Sequence, residues 1–172
     1  KIAAEVKATL TDTVFEEGLR RLPSEIYRIR HDELMRKFKQ RRENFLPAMD
    51  EYYRFANKIA DIRLSDKNEQ VEIGDAPNNG LSVTVIKINK KGKLRDTLLK
   101  AAYDPAITKE VRLFTAGGDD HVTLNTSRTD IKLRIVGGEG QKEYEVIGAN
   151  NKVRLYGKPT NHTFIGDSTR FI

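Results

Sequence analysis

Cysteine is absent from the 172-residue chain, so no disulfide, thiolate nucleophile or cysteine-based metal site can form; the absence fits any compartment. No apolar run approaches the ~20 residues that a membrane helix needs, and no secretory leader pattern opens the chain. Histidine is scarce. His31, His121 and His162 are the three, and none stands in a His-x-His or His-Glu-x-x-His spacing, so the usual paired-histidine ligands of a zinc site are not visible. Neither a Gly-x-Ser-x-Gly elbow nor a P-loop is present. The chain opens Lys-Ile rather than Met, which predicts a piece excised from a longer protein.

What is present is an ordinary soluble composition with the charge on the high side: 38% hydrophobic, 33% charged, net +6. This length suffices for one domain, or two small ones, with a real core. The positive balance permits nucleic acid, anionic lipid or an acidic partner and selects none of them.

The first third reads as helix. "LTDTVFEEGLRRLP" offers Thr11 or Asp12 as N-cap and closes before Pro23. "SEIYRIRHDELMRKFKQRRENFL" follows behind Ser24, with Ile26, Ile29, Leu34, Phe38 and Phe45 near one helical stripe. Pro47 kinks this helix or starts a new one, and Met49, Tyr52, Ala56 and Ile59 continue at three- and four-residue steps. The pattern predicts helices over 12–21, 24–45 and 47–61. From about Ser65 the chain changes to turn residues and short extended runs: a strand at 70–73, another at 81–89, and a turn at 90–92. "KLRDTLLKAAY" reads either as helix or as the return strand of a hairpin. The fold class is therefore α+β: N-terminal helices (1–64) packed on a strand-rich half (65–172), the two forming one continuous unit.

The strand-rich half carries a period. Gly117, Gly137 and Gly157 recur at twenty-residue intervals. Leu113, Leu133 and Val153 each stand four before the glycine; Thr115, Ile135 and Leu155 stand two before it. Phe114, Arg134 and Arg154 lie between and would face the other way in a strand. Each unit has a second short strand at 122–124, 144–146 and 162–165. A period of about twenty with two strands per unit predicts a small β-solenoid-like coil; the alternative is an antiparallel meander with evenly spaced turns.

The glycine turns "GGDDHV" and "GGEGQK" invite comparison with the calcium turn G-G-x-G-x-D-x-U-x. Gly117 and Gly118 fit its first two places, but Asp120 stands for the third glycine and Val122 for the ligand aspartate. In the second copy Gly137, Gly138 and Gly140 fit, and Lys142 puts a cation where a carboxylate should be. The third copy keeps Gly157 alone. Calcium is thus disfavoured, and no cofactor is expected; Asp119 and Asp120 remain the candidates should a metal bind. The glycines are expected to supply positive φ at the corners, with Asp119 and Asp120 hydrogen-bonding their own backbone. Consecutive strand residues face opposite ways, which argues against Asp119, Asp120 and His121 sharing a catalytic site.

The most cationic stretch is "RIRHDELMRKFKQRREN", where Arg36, Lys37, Lys39, Arg41 and Arg42 form a candidate basic interaction face. Asp32 and Glu33 stand four residues before Arg36 and Lys37; such interleaving marks a solvated helix face. Tyr52, Tyr53 and Phe55 are expected in the core rather than on a base-stacking platform, which disfavours nucleic acid. An acidic partner or a membrane surface is the other reading.

In order along the chain, "LTDTVFEEGLRRLPSEIY", "RRENFLPAMDEYYRFANKIADI", "LSDKNEQVEI", "VTVIKINKKGK" and "KEVRLFTAGGDDHVTL" resemble a segment of large Gram-negative envelope proteins. That segment links a calcineurin-like metallophosphoesterase region to an outer-membrane β-barrel of the surface-antigen type. The resemblance runs from about Leu10 to Gly157. It implies an accessory domain in the periplasm or at the outer membrane, membrane-proximal but not spanning, whose partners are neighbouring domains of the same parent chain or envelope proteins. The phosphoesterase ligands of such proteins lie elsewhere, so no catalytic residue carries over. The leading expectation is a non-catalytic structural or interaction domain; the alternatives are an accessory part of a phosphoesterase completed outside this sequence, and a cation- or polyanion-binding module.

Overall fold

A computed structural model of the chain describes residues 1–150 and 152–166. It divides into two compact units, Lys1–Ala56 and Asn57–Ile172.

The first unit is helical: α1 (Ile2–Thr9), α2 (Asp12–Leu19) and α3 (Ser24–Ala56). Thr11 caps α2, its hydroxyl accepting from Val14 N at 3.3 Å, which satisfies one of the orphan donors of a helix start. Both short helices pack on α3. Phe15 meets Phe38 with ring centroids 5.3 Å apart, and Leu19 is buried. Three expectations fail here. α1 has no capping side chain and leaves no signal in the sequence. α3 runs unbroken through Pro47, because its other intrahelical bonds outweigh the one that proline removes. And Tyr52, Tyr53 and Phe55, expected in a core, are 64%, 52% and 76% exposed.

The second unit begins with a strand where helix was expected. β1 (Ile59–Arg63) overlaps the end of the 47–61 helix, its extended form fixed by pairing with residues fifty-one positions on. β2 (Glu69–Ala76), β3 (Gly80–Ile88) and β4 (Leu94–Tyr103) follow. "KLRDTLLKAAY" is therefore the hairpin return, and β3 pairs antiparallel with both neighbours. Then come β5 (Glu110–Phe114), β6 (Asp120–Thr126), β7 (Lys132–Val136), β8 (Lys142–Ala149), β9 (Val153–Tyr156) and β10 (His162–Gly166).

These strands form two sheets, ordered β1-β5-β7-β9 and β10-β8-β6-β2-β3-β4. Every pair except β2–β3 and β3–β4 is parallel, which overturns the meander. From β4 onward successive strands alternate between the sheets, so each of those connections crosses from one to the other. Alternate residues of the facing strands build the core: Val111, Leu113, Leu133, Ile135 and Val153 from the first sheet, and Val71, Ile73, Val122, Leu124 and Tyr144 from the second, all at most 2% exposed. Burying such side chains contributes about 1.5–3 kcal/mol each.

The register differs from the twenty-residue alignment. Val111 lies opposite Leu133 and Leu113 opposite Ile135, a step of twenty-two. Leu133 then lies opposite Val153, a step of twenty. Leu113 and Leu133 therefore do not pair. The longer corner between β6 and β7 holds the extra residues, and it is filled from within by Thr129 and Ile131, at 1% and 0% exposure.

Candidate functional site

The acid-bearing corner between β5 and β6 is the centre of polar organisation. Asp120 opens β6 on the inward side, and Lys142 opens β8 directly opposite it. The side chains are 0% and 1% exposed. Lys142 Nζ donates to Asp120 Oδ2 at 2.8 Å, to Gly118 O at 2.6 Å and to Gly117 O at 3.0 Å. Asp120 Oδ1 accepts from Glu69 N at 3.0 Å. The ammonium thus sits among the carbonyls and carboxylate that a bound cation would use, and carries that charge itself. Lys142, a misfit in the calcium motif, is the residue that organises the corner.

Burial is the main influence on Asp120, raising its pKa to about 6 against the pull of Lys142 and the Glu69 amide. Tyr144, on the next inward position of β8, is raised to about 12 by burial and then by the Asp120 charge. Glu69, 1% exposed, completes the cluster. Its Oε1 accepts from Ser65 Oγ, while Oε2 has no hydrogen-bond partner. Beside it a cavity of about 370 Å³ is lined by Ile62, Leu64, Val85, Leu99 and Tyr103.

Asp119 and Asp120 do not bond their own backbone, as the sequence suggested. Asp119 Oδ1 accepts from Gln141 N at 2.9 Å, and Asp119 N donates to Asn68 Oδ1 at 3.1 Å. Asp66 Oδ1 likewise accepts from Gly117 N at 3.1 Å. Each carboxylate or amide here ties one corner to the next. The glycines divide by cause as well. Gly118 and Gly140 have φ of 79° and 82°, the left-handed region expected. Gly138 is required for a different reason: a Cβ there would lie 1.8 Å from Ala116 O. Gly117 and Gly137 meet close neighbours at 2.9 and 3.4 Å, and Gly157 has room, its nearest contacts lying at 3.8 Å.

His121 points outward, away from the Asp120 interior. Its Nδ1 lies 2.6 Å from Glu143 Oε1 and its Nε2 3.5 Å from Glu145 Oε2. Thr123 Oγ1 donates to Glu145 Oε2 at 3.2 Å beside them, and among the described residues no group of three His, Asp or Glu side chains is placed to hold a metal ion.

The basic residues of α3 are largely engaged locally. Lys37 pairs with Glu33 at 2.6 Å, Lys39 with Asp12 at 2.8 Å, and Arg42 with Asp12 at 2.7 Å and Leu10 O at 2.9 Å. Arg36 and Arg41 are exposed. Glu16 gathers Tyr27, Arg20 and His31, whose hydrogen bonds hold its pKa at about 2. A second basic surface, on the outer face of the first sheet, escaped the sequence reading. It carries Arg112, Arg134 and Arg154 in register on β5, β7 and β9. The signal was there, since Arg134 and Arg154 stand out as outward residues, but the wrong step left Arg112 out of the row. Compared with protein-family models, curated proteins and solved structures, the chain matches none.

Proposed function

We propose that the strand-rich unit is a short β-solenoid and that it works as a non-catalytic structural and interaction domain, holding neighbouring parts of a cell-envelope protein in place. The observation that carries this reading is the parallel register, β5 on β7 on β9 in one sheet and β6 on β8 on β10 in the other. A chain that visits two sheets once per ~20 residues stacks each turn on the last, and each turn covers the apolar face of its neighbour. The interaction role is supported by where the polar groups go. Asp120 and Lys142 pair with each other out of reach of solvent, beside the buried Glu69, while the outer face of the first sheet presents Arg112, Arg134 and Arg154 in register. The envelope setting rests on the sequence resemblance alone.

The test is an assay of the purified chain against p-nitrophenyl phosphate and bis(p-nitrophenyl) phosphate with manganese, zinc or calcium. The expected result is no turnover above buffer. Metal-dependent hydrolysis that tracks the purified chain would overturn the reading.

A further inference from the structure

The second sheet overhangs the first. β1 and β2 begin the two parallel stacks, but β3 and β4 continue the second sheet beyond β2, whereas β1 is the edge of the first. At this end lies the cavity of about 370 Å³, walled by Ile62 and Leu64 from β1 and its end, Val85 from β3, and Leu99 and Tyr103 from β4. Glu69, which opens β2, is part of the same lining. Liquid water takes about 30 Å³ per molecule, so the space equals about a dozen waters or one small organic molecule.

Glu69 is incompletely satisfied there. It is 1% exposed; its Oε1 accepts from Ser65 Oγ, and its Oε2 has no hydrogen-bond partner. The neighbouring base has no donor left for it. An ammonium carries three N–H groups, and those of Lys142 go to Gly117 O, Gly118 O and Asp120 Oδ2. The cluster thus holds two acids, Asp120 and Glu69, and one base. Arg63, the cation in the cavity lining, is engaged elsewhere: its guanidinium lies over the Phe114 ring at 4.5 Å and 3.9 Å from Asp61 Oδ2.

A buried carboxylate oxygen without a donor is unfavourable, and a ligand that relieves it must bring a donor while lying against apolar walls. A calcium ion takes about 6–8 oxygens, more than this mostly apolar lining supplies. An anion would meet a carboxylate. A neutral alcohol would supply the donor and leave the cluster one cation short. An ammonium supplies both, and Tyr103 adds the one aromatic ring in the lining, which attracts a cation as well. We propose that this cavity binds a small primary ammonium ligand with an apolar chain or ring, its nitrogen donating to Glu69 Oε2 and its carbons lying against Leu64, Val85 and Leu99. The inference goes beyond the scaffold role and does not depend on it.

The test is an NMR titration of the whole chain with n-hexylammonium chloride, with 1-hexanol and sodium hexanoate as probes of equal chain length. The expected result is saturable shifts in the methyl groups of Leu64, Val85 and Leu99 with the ammonium. Hexanol should bind at least tenfold more weakly, since a charge-assisted hydrogen bond is the stronger one, and hexanoate should not bind. Glu69→Gln should weaken the ammonium at least tenfold. Glu72→Gln, at an exposed position of the same strand, removes the same charge and should change affinity less than twofold. Equal losses from both variants would reduce the effect to net charge and overturn the site. Hexanol binding as tightly as the ammonium overturns the ligand class. Tighter binding of Nα-acetyl-lysine methylamide than of hexylammonium overturns the free ligand in favour of a partner's lysine side chain. Should Glu69→Gln misfold, the unaltered chain decides: ammonium-induced shifts confined to the cavity lining, and absent with hexanoate, support the site. Shifts elsewhere, or none, refute it but leave the scaffold role, which the turnover assay tests separately.

Discussion

Replacing Lys142 by methionine isolates the interaction that ties the corners together. The substitution keeps most of the side-chain volume and removes the ammonium. Asp120 would then be a carboxylate at 0% exposure with one remaining donor, the Glu69 amide, and the carbonyls of Gly117 and Gly118 would lose their shared partner. Removing one member of a buried ion pair costs about 3–5 kcal/mol, because the other charge stays behind. For a unit of this size that corresponds to a drop in Tm on the order of 12–20 °C. The double variant Asp120→Leu/Lys142→Met removes both charges, so the uncompensated carboxylate is gone; beyond the two glycine carbonyls that the single variant also leaves without Lys142, it orphans the Glu69 N–H, at about 1–3 kcal/mol. It should therefore be more stable than Lys142→Met alone. Urea unfolding followed through the amides of β6 and β8 reads the strand-rich unit without the helices. A loss below about 1 kcal/mol in the single variant, or a double variant less stable than it, would refute the claim that this pair is a coupled structural element.

Other outcomes follow from the same geometry. Gly138→Ala forces a Cβ to within 1.8 Å of Ala116 O, whereas Gly157→Ala meets nothing closer than 3.8 Å; urea midpoints should show a loss of about 2–4 kcal/mol for the first, as overpacking against backbone, and less than about 0.5 kcal/mol for the second. The Asp120 carboxyl carbon should titrate near 6 rather than 3.8 by NMR. Because the folded-state value is the higher one, Asp120's contribution to stability is full below the unfolded value and is lost as pH rises through about 6; a β6 stability that climbs over that window would contradict the assignment. Pro47→Ala restores an N–H inside α3, and circular dichroism should show the helical unit stabilised by about 1–3 kcal/mol.

The fold class, α+β with helices first and strands after, was legible in the sequence, and so were β3, β6, β8 and β10, because alternation of apolar residues is a local signal. What was not legible depends on distant partners. Ile59 continues a helical spacing perfectly well, and only its pairing with Glu110 makes it strand. "KLRDTLLKAAY" fits helix or strand until Leu99 and Tyr103 find Val85 and Leu81. The even spacing of Gly117, Gly137 and Gly157 misled the alignment, since Gly138 packs on Ala116 and Gly140 on Gly118; the corner between β6 and β7 absorbs the difference with residues that look like loop and are buried. The corner cluster was half visible. Lys142 was noticed as the wrong charge for calcium, but Glu69, fifty-one residues before Asp120, gave no sign of belonging with it.

The antiparallel pair β2–β3 joins residues as close in sequence as Ala76 and Gly80, whereas β1 meets β5 and β2 meets β6 only after the intervening hairpin has been synthesised and threaded past. Closing a short loop loses less chain entropy than closing a long one. The hairpin is thus expected to assemble before any parallel pair and to serve as the template on which later turns are laid. Pulse-labelled amide exchange during refolding should find β2 and β3 protected ahead of β5 and β7; the opposite order would mean that the stack nucleates from its far end.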